Sequence, residues 1–388
     1  MTDFADQALL PAGMSDELPP EASIEANALE RLILIFTGFG YQRIKPPLIE
    51  FEESLLSGLG TGMGSQTFRL MDPVSHRMMG VRADMTPQVA RIAATRLKKA
   101  PRPLRLSYAG QVLRVKGSQL RPERQFTQVG AELIGRPETE ADVEVILMGW
   151  EALRDLGVSN LSVDLYMPTL VPAVCEDFNI SEDTRDQLRQ GLNIKDAAKL
   201  TSLSGELGQP ATTVLSAMLA SAGSADKTLK ALHSLKLGTE ASKVRGELSK
   251  VVERLKQDNP DINVTIDPVE NRGFEYHTGV TFTYFARNVR GELGNGGRYQ
   301  ISISSQASEP STGFTLFMDT VLRAIPATPS TARIYLPAQT PRSVAAALRR
   351  EGWATVDGLV KVDNLADEAR RLQCSHLLED GEPSKLQD

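Results

Sequence analysis

Residues 105–135 read RLSYAGQVLRVKGSQLRPERQFTQVGAELIG, two apolar, strand-like runs on either side of a basic loop. The loop carries Arg114, Lys116, Arg121 and Arg124. A guanidinium offers a planar fork of donors that fits a phosphate or a carboxylate. The pattern therefore predicts an extended hairpin that binds an anionic group. An exposed basic hairpin on a surface sheet is the alternative for this window taken alone.

This stretch resembles motif 2 of the class II aminoacyl-tRNA synthetases, specifically the histidyl type. The resemblance implies that Arg114 is the arginine that faces the carboxylate and the phosphate of the activated amino acid. Gln125-Phe126, Gln128 and Glu132 continue the histidyl pattern RQFxQxGxE. Amide and carboxylate oxygens can accept hydrogen bonds from an ammonium or an imidazole N–H. Gln128 and Glu132 are therefore candidate ligands of histidine.

A second segment, residues 80–91, reads GVRADMTPQVAR and resembles the histidyl segment that holds the substrate's α-ammonium. Asp84 and Thr86 occupy the ligand positions, and residues two apart on an extended strand point to the same side. The alternative is a helix start, with Thr86 as the N-cap and Pro87 at the first helical position. We expect both: a helix from Pro87 onward, and an Asp84 carboxylate that stays available.

Two further segments contain glycines, and they occur along the chain in the same order as the matching segments of the histidyl family. Residues 271–279 read NRGFEYHTG and resemble the histidine-specific signature RGLDYYTG. In the family the arginine of this signature assists activation of the amino acid, and Arg272 occupies its position. Tyr276 matches the first tyrosine, whereas His277 replaces the second, which contacts the imidazole. Residues 294–299 read GNGGRY and resemble the strand GGGRYD, where absent side chains let a ligand approach the backbone. A glycine cluster alone is more typical of a turn.

The departures from the histidyl pattern lie in the nucleotide half of the site. Motif 3 of the family reads GFALGLERL, whereas GFTLFMDTV here places Thr320 where the phosphate-facing arginine belongs. Lys116 replaces the glutamate that contacts adenine, and Pro122 replaces a second phosphate-facing arginine, for which Arg121 and Arg124 are near enough to compensate partly. Losing one such donor costs about 3 kcal/mol of transition-state stabilisation. We therefore expect no ATP-dependent activation.

A synthetase-like chain that keeps the amino-acid pocket and lacks the activation residues resembles the regulatory subunits of ATP phosphoribosyltransferase. The resemblance implies a paralogue without aminoacylation activity. It also implies a hetero-octamer with the short-form catalytic subunit, a dimer through the motif 1 region around Pro47, and a role in the first step of histidine biosynthesis. Feedback inhibition by L-histidine is implied as well.

We hypothesise that the pocket binds histidine at its ammonium, its carboxylate and its ring. The candidate binding residues are Asp84, Thr86, Arg114, Gln128, Glu132, Arg272, Tyr276 and His277. No catalytic residue, cofactor or metal is expected. A histidine site at the interface between subunits remains the alternative to this pocket.

Three other functions stay open from the sequence. They are an active histidyl-tRNA synthetase, a synthetase paralogue that activates another amino acid or modifies a protein, and a non-catalytic scaffold with a vestigial pocket. The replacement of a tyrosine by His277 favours the last of these. The loss of the motif 3 arginine argues against the first two.

The pattern of elements predicts an α+β fold with a mixed, mainly antiparallel sheet flanked by helices. We expect a synthetase-like domain at 1–325 and a small α/β segment at 326–388 with an acidic tail, disordered over 379–388. A helical insertion at about 181–259 is expected to cover one edge of the site.

Composition argues against several broad classes of protein. A net charge of −6 and a pI near 5.5 argue against a general nucleic-acid binder. The longest apolar run, Leu32 to Phe36, is too short for a membrane span, and the acidic start MTDFADQ is unlike a signal segment, which predicts a cytoplasmic protein. Two distant cysteines and four scattered histidines indicate neither a disulfide framework nor a metal site.

Overall fold

The computed structural model of the chain describes residues 9–118, 121–270, 276–304, 307–326 and 332–386. The chain divides into two compact units, Met1–Pro326 and Ala327–Asp388. In the described ranges, no helix combines the length and apolar character that crossing a membrane requires. The candidate site lies wholly in the larger unit.

The larger unit is built on a nine-stranded sheet, counted over the described residues, with the order β1-β5-β6-β12-β11-β10-β7-β9-β8. Its strands are β1 (Gln42–Arg43), β5 (Leu104–Leu113), β6 (Gln125–Ile134), β7 (Leu161–Tyr166), β8 (Gly223–Ser224), β9 (Val264–Ile266), β10 (His277–Ala286), β11 (Gly294–Ser304) and β12 (Ala307–Phe317). The pairs β1/β5 and β7/β9 are parallel and the other neighbours are antiparallel. A small antiparallel sheet, β2-β4-β3, consists of β2 (Ile49–Phe51), β3 (Arg69–Met71) and β4 (Met78–Val81).

Helices cover both faces of the large sheet. They are α1 (Glu21–Gly38), α2 (Glu52–Leu55), α3 (Thr86–Ala94), α4 (Thr139–Asp155), α5 (Leu170–Asp177), α6 (Glu182–Asn193), α7 (Ala197–Ser202), α8 (Ser204–Ala220), α9 (Ala225–Ser234), α10 (Thr239–Asp258) and α11 (Met318–Ala324), with a 3-10 segment at Gly58–Gln66. The helices α1 and α4 pack in the main hydrophobic core, whereas α3 packs in a second core on the other side of the sheet.

The strand β6 shows how the sequence places site residues. Nine of its ten residues are buried because β5 and β12 flank it and both of its faces are covered. Val129 and Ala131 point into the main core with α1 and α4. Because successive strand residues alternate in direction, Gln128 and Glu132 both point to the opposite face. That face carries the candidate site.

The helical insertion lies at the β8/β9 end of the sheet. Its helices α6 to α10 are interrupted by β8, which pairs with β9. The Asp177 carboxylate at the end of α5 accepts the backbone N–H groups of Glu240 and Ala241, at 3.3 and 3.1 Å, and so anchors α10. Among the described residues none of 181–259 lines the candidate site. The prediction that the insertion covers one edge of the site is therefore wrong.

The smaller unit contains a four-stranded sheet with the order β14-β13-β15-β16 in its described part. Its elements are β13 (Arg333–Leu336), α12 (Arg342–Arg350), β14 (Ala354–Asp357), α13 (Leu365–Arg371), β15 (His376–Glu379) and β16 (Glu382–Lys385). The predicted disorder over 379–388 is wrong up to Leu386, because β15 and β16 form a hairpin. Asp380 and Gly381 have φ values of 49° and 88°, the left-handed geometry that an Asp-Gly hairpin turn requires.

Candidate functional site

A cavity of about 550 Å³ opens between the β5–β6 hairpin, the start of α3 and the strands β10 to β12. This volume lies within the range of small-molecule sites. Six of the predicted residues line the cavity: Asp84, Thr86, Arg114, Glu132, Tyr276 and His277. Gln128 stands directly behind Asp84, and Arg272 lies outside the described residues. The structure thus brings together seven residues that are spread over nearly 200 positions of the chain.

Asp84 lines the floor of the cavity, and the fully buried Gln128 supports it from behind. The Gln128 amide donates to Oδ2 of Asp84 at 3.0 Å, and its Oε1 accepts the backbone N–H of Met85, also at 3.0 Å. The other Asp84 oxygen, Oδ1, accepts the backbone N–H of Thr86 at 2.8 Å. Each Asp84 oxygen thus already has one donor, yet each retains a further lone pair for a ligand. The carboxylate is fixed in position before a ligand arrives.

Thr86 is the first residue of α3, not its N-cap. The helix begins one residue earlier than predicted, and no side chain caps it. Pro87 lies in the first turn, where its missing N–H costs nothing. The Thr86 hydroxyl lies 3.4 Å from the Tyr108 hydroxyl, which in turn lies 2.7 Å from Oγ1 of Thr315. Thr86 is therefore oriented by a buried hydroxyl chain along the cavity wall.

Glu132 is the most deeply buried acid of the cavity, with 1% of its surface exposed. Its Oε2 accepts the Tyr299 hydroxyl at 2.7 Å. Burial raises the pKa of the Glu132 carboxyl to about 8, and the negative charge of Asp84 adds to the rise. Glu132 therefore carries a proton for most of the time at neutral pH when the cavity holds no cationic ligand.

This buried carboxyl makes the stability of the chain depend on pH. Between about pH 4.5 and 8 the folded chain keeps the Glu132 proton that the unfolded chain has lost, so a rise in pH lowers the free energy of unfolding. The slope due to Glu132 is at most about 1.4 kcal/mol per pH unit. We expect Glu132→Gln to remove it, as measured by urea denaturation at pH 5, 6, 7 and 8. Parallel pH curves for the two proteins would contradict this assignment.

Arg114 supplies the cationic wall of the cavity. Its backbone N–H donates to the Arg124 carbonyl at 2.7 Å, which extends the hairpin one residue past β5. The Arg114 Nε donates to the Ala83 carbonyl at 3.3 Å, and the guanidinium lies 5.1 Å from the centre of the Phe126 ring. Burial lowers the pKa of Arg114, although the guanidinium stays charged at neutral pH because its starting value is high. It can face a ligand carboxylate.

An aromatic wall closes the inner end. The rings of Tyr276 and His277 lie 4.4 Å apart, and both meet the Tyr299 ring edge-on, at 5.8 and 6.4 Å. A Cβ atom at Gly297 would stand 2.8 Å from the His277 ring, so the glycine-rich strand makes room for this imidazole. This close approach explains one glycine of the GNGGRY segment. His277 thus points at the cavity, where the family has a tyrosine.

The two arginines expected to compensate in the nucleotide half of the cavity, Arg121 and Arg124, both bind other groups of the chain. Arg121 donates to Asp319 at 3.0 Å and stacks 3.7 Å from the Phe317 ring. Arg124 donates to the carbonyl groups of Arg114 and Ala12. The expected partial compensation by these two arginines is therefore absent, because both guanidiniums are bound within the chain.

Thr320 offers no substitute for the missing arginine of motif 3. It is 1% exposed, and its hydroxyl forms hydrogen bonds with two neighbours on α11, Asp319 and Arg323. Sequence reasoning also missed three residues that orient the site, Tyr108, Tyr299 and Thr315. Tyr299 belongs to the GNGGRY segment, so its neighbourhood was a usable signal, whereas nothing in the sequence singled out Tyr108. Among the described residues no cluster of His, Cys, Asp or Glu could hold a metal ion.

Comparisons with known proteins show the family of the chain. Residues 13–321 match the protein family described as Histidyl-tRNA synthetase. An ATP phosphoribosyltransferase regulatory subunit from Paramagnetospirillum magneticum is 55% identical over 97% of this chain and 98% of its own length. The chain belongs to the ATP phosphoribosyltransferase regulatory subunit family. A member from Rhodospirillum centenum is 54% identical over 98% of this chain and 97% of its own length.

Solved structures confirm the predicted fold class. The ATP phosphoribosyltransferase regulatory subunit/histidyl-tRNA synthetase from Bacillus halodurans superposes with a TM-score of 0.82 at 26% identity, over 94% of this chain and 96% of that one. Histidyl-tRNA synthetase from Nostoc sp. PCC 7120 shares the fold, with a TM-score of 0.78 at 18% identity over 98% and 95% of the two chains. The family and fold predictions are thus both confirmed.

Proposed function

We propose that this regulatory subunit binds L-histidine in the cavity and transmits its presence to a short-form ATP phosphoribosyltransferase catalytic subunit, within a hetero-octamer in the cytoplasm. The observation that carries the proposal is that Asp84, Glu132 and Arg114 line one cavity, with Gln128 holding Asp84 from behind. Two acids and a guanidinium there match the ammonium, ring and carboxylate of a histidine zwitterion.

Each end of histidine has a partner in this arrangement. Asp84, held by Gln128, accepts the ammonium together with the Thr86 hydroxyl. Arg114 faces the carboxylate, a role that Arg272 shares in the proposal. Glu132 accepts an imidazole N–H, and a cationic ligand favours the ionised form of this carboxyl because opposite charges lower its pKa.

Binding alone regulates nothing; regulation requires different affinity in two states of the assembly. Histidine shifts the assembly only if the cavity binds it more tightly in one arrangement of the subunits than in another. Asp84 and Thr86 lie at the start of α3, and Arg114 lies on the hairpin. A ligand held by all three restrains the hairpin relative to the helix. We infer that this restraint is what the catalytic subunit senses.

The proposal excludes aminoacylation. Arg121 and Arg124 are bound within the chain, and the motif 3 position holds a buried threonine. Such charges must be preorganised and available to stabilise phosphoryl chemistry. The cavity therefore supports recognition of an amino acid without its activation.

The motif 1 region supports the proposed dimer. The Arg82 guanidinium donates to the carbonyl groups of Pro46 and Pro47, at 3.0 and 3.5 Å, and so fixes this segment against the body of the unit. The next two residues, Leu48 and Ile49, remain 46% and 37% exposed. Apolar side chains on a rigid segment suit a self-association surface.

Reconstitution tests the regulatory role. We expect addition of this chain to a purified short-form catalytic subunit to raise its rate about tenfold or more, and L-histidine to reverse the rise, within the usual range of coupling between sites. The chain denatured by heat is the control. The proposal fails if the native chain changes neither the rate nor its response to histidine. Histidine binding to the mixed complex alone would move the site to the subunit interface.

A further inference from the structure

The backbone of Arg114, which supplies the cationic wall of the cavity, pairs irregularly with Arg124. Leu113 pairs with Gln125 at the end of the β5–β6 ladder, so Arg114 and Arg124 are the next opposed residues. The Arg114 N–H donates to the Arg124 carbonyl at 2.7 Å. A regular hydrogen-bonded pair would also join the Arg124 N–H to the Arg114 carbonyl. Here the Arg124 N–H donates to the Gly13 carbonyl instead, at 2.7 Å.

The side chain of Arg124 replaces the missing ladder bond. Its Nε donates to the Arg114 carbonyl at 3.2 Å, and its Nη1 donates to the Ala12 carbonyl at 3.1 Å. The guanidinium also lies 5.1 Å from the centre of the Phe68 ring, a distance typical of a cation–π contact. A guanidinium suits this place because its donors form a rigid planar fork. Arg124 therefore makes two bonds to the Arg114 backbone and two to the segment around Gly13.

That segment, residues 9–20, precedes α1, and we call it the N-terminal strap. Gly13 has a φ of 77°, the left-handed conformation that glycine adopts readily. A Cβ atom there would stand 2.7 Å from the Pro122 carbonyl oxygen and 2.8 Å from Cγ of Arg124. The strap thus lies directly against the residues that lead into β6, with no room for a side chain at Gly13.

The side chain of Arg114 depends on the position of this backbone. Its Nε donates to the Ala83 carbonyl at 3.3 Å, at the long end of the range for a hydrogen bond. Its guanidinium lies 5.1 Å from the centre of the Phe126 ring. Because Arg114 stands one residue beyond β5, its bonds with Arg124 continue the pairing where the regular ladder has ended. A small shift of the backbone would therefore move the guanidinium in the cavity.

We propose that Arg124 is a positioning residue that holds Arg114 at the carboxylate end of the cavity, with the N-terminal strap as its anchor. The inference rests on the proposed function, in which Arg114 faces the carboxylate of histidine. Arg124 is not among the described residues that line the cavity. Because it reaches the ligand only through Arg114, its loss should weaken binding of the carboxylate and leave the ammonium and the ring unaffected.

Calorimetric titration with L-histidine and with L-histidinol tests the proposal, since histidinol keeps the ammonium and the ring and has a hydroxyl in place of the carboxylate. We expect Arg124→Met to weaken histidine binding about tenfold and histidinol binding less than about twofold. The matched control is Arg102→Met, because Arg102 also donates to two backbone carbonyl groups, those of Leu97 and Ala100, away from the cavity. It should change neither affinity. Equal weakening of both ligands by Arg124→Met, or no weakening, would overturn the proposal.

Two further variants test the strap and the route through Arg114. Gly13→Ala leaves Arg124 in place but forces the strap away from it, and we expect the same selective loss of histidine binding. In the Arg114→Met background, Arg124→Met should cause no further loss, because residues that act through one contact are not additive. Unchanged histidine affinity in Gly13→Ala, or additive losses in the double variant, would contradict the proposal.

A measurement without ligand keeps this proposal distinct from the proposed function. The NMR signal of the Arg114 Nε–H, observed with isotope-labelled arginine and assigned with Arg114→Met, reports the bond to the Ala83 carbonyl. We expect Arg124→Met to speed its exchange with solvent at least about tenfold, and Arg102→Met to leave it unchanged. If the natural chain binds neither histidine nor histidinol, the proposed function fails and this exchange decides the positioning role. Faster exchange in Arg124→Met supports that role, and unchanged exchange overturns it.

Discussion

Replacing Asp84 by alanine is expected to weaken L-histidine binding by the isolated chain at least about a hundredfold. The change removes the carboxylate that is proposed to accept the ammonium, and it leaves the Gln128 amide and the Thr86 N–H without their acceptor. Loss of one partner of a buried charge pair costs about 3 kcal/mol or more. Isothermal titration calorimetry measures the effect directly.

Two controls separate this effect from a general loss of structure. Asp261→Asn changes an exposed aspartate far along the chain and should leave histidine affinity unchanged. Circular dichroism should show that Asp84→Ala remains folded at the temperature of the titration. Histidine binding of undiminished strength in the folded Asp84→Ala protein would show that the ammonium site is elsewhere.

Replacing Gly313 by alanine is expected to disturb the ring site more than any other single methyl group. A Cβ atom there would stand 1.6 Å from Oε2 of Glu132 and 2.7 Å from the Ala131 carbonyl, so the buried carboxyl must move. We expect a loss of about 2 kcal/mol of stability, typical of overpacking, and at least about tenfold weaker histidine binding. Urea denaturation and calorimetry measure the two effects.

The matched control is Gly246→Ala in the middle of α10. No atom lies within 4 Å of a Cβ added there, so the methyl group only lowers the backbone entropy of the unfolded chain. We expect this variant to gain about 0.5–1 kcal/mol and to bind histidine normally. Equal stability changes at Gly313 and Gly246 would show that the fit around Glu132 is looser than the structure indicates.

The residues of the amino-acid half of the site could be predicted from the sequence, because strand alternation and the order of the motifs indicate them. Gln128 and Glu132 are four residues apart on a strand, so they necessarily share a face, and they lie on the same face of β6. The cluster of Asp84 with Gln128 needed the β4–α3 connection to lie against β6. No local sequence pattern predicts the contact between this connection and β6, and only the family resemblance suggested it.

The state of the nucleotide half of the cavity could not be predicted from the sequence, because it depends on which groups Arg121 and Arg124 bind in the folded chain. Arg121 and Arg124 are equally basic in the sequence, yet one pairs with Asp319, nearly 200 residues away, and the other with backbone carbonyl groups. Long side chains reach many partners, and packing decides among them. The tail was mispredicted for another reason: charge suggested disorder, although Asp380-Gly381 is a strong local hairpin signal.

We propose that this chain binds an amino acid without activating it. Histidine-dependent exchange of pyrophosphate into ATP, combined with calorimetric titration of the same sample with L-histidine, tests it most directly. We predict saturable 1:1 histidine binding whose affinity is unaffected by ATP, with no exchange above a sample that lacks protein. Exchange that requires histidine and rises with the amount of chain would contradict the claim.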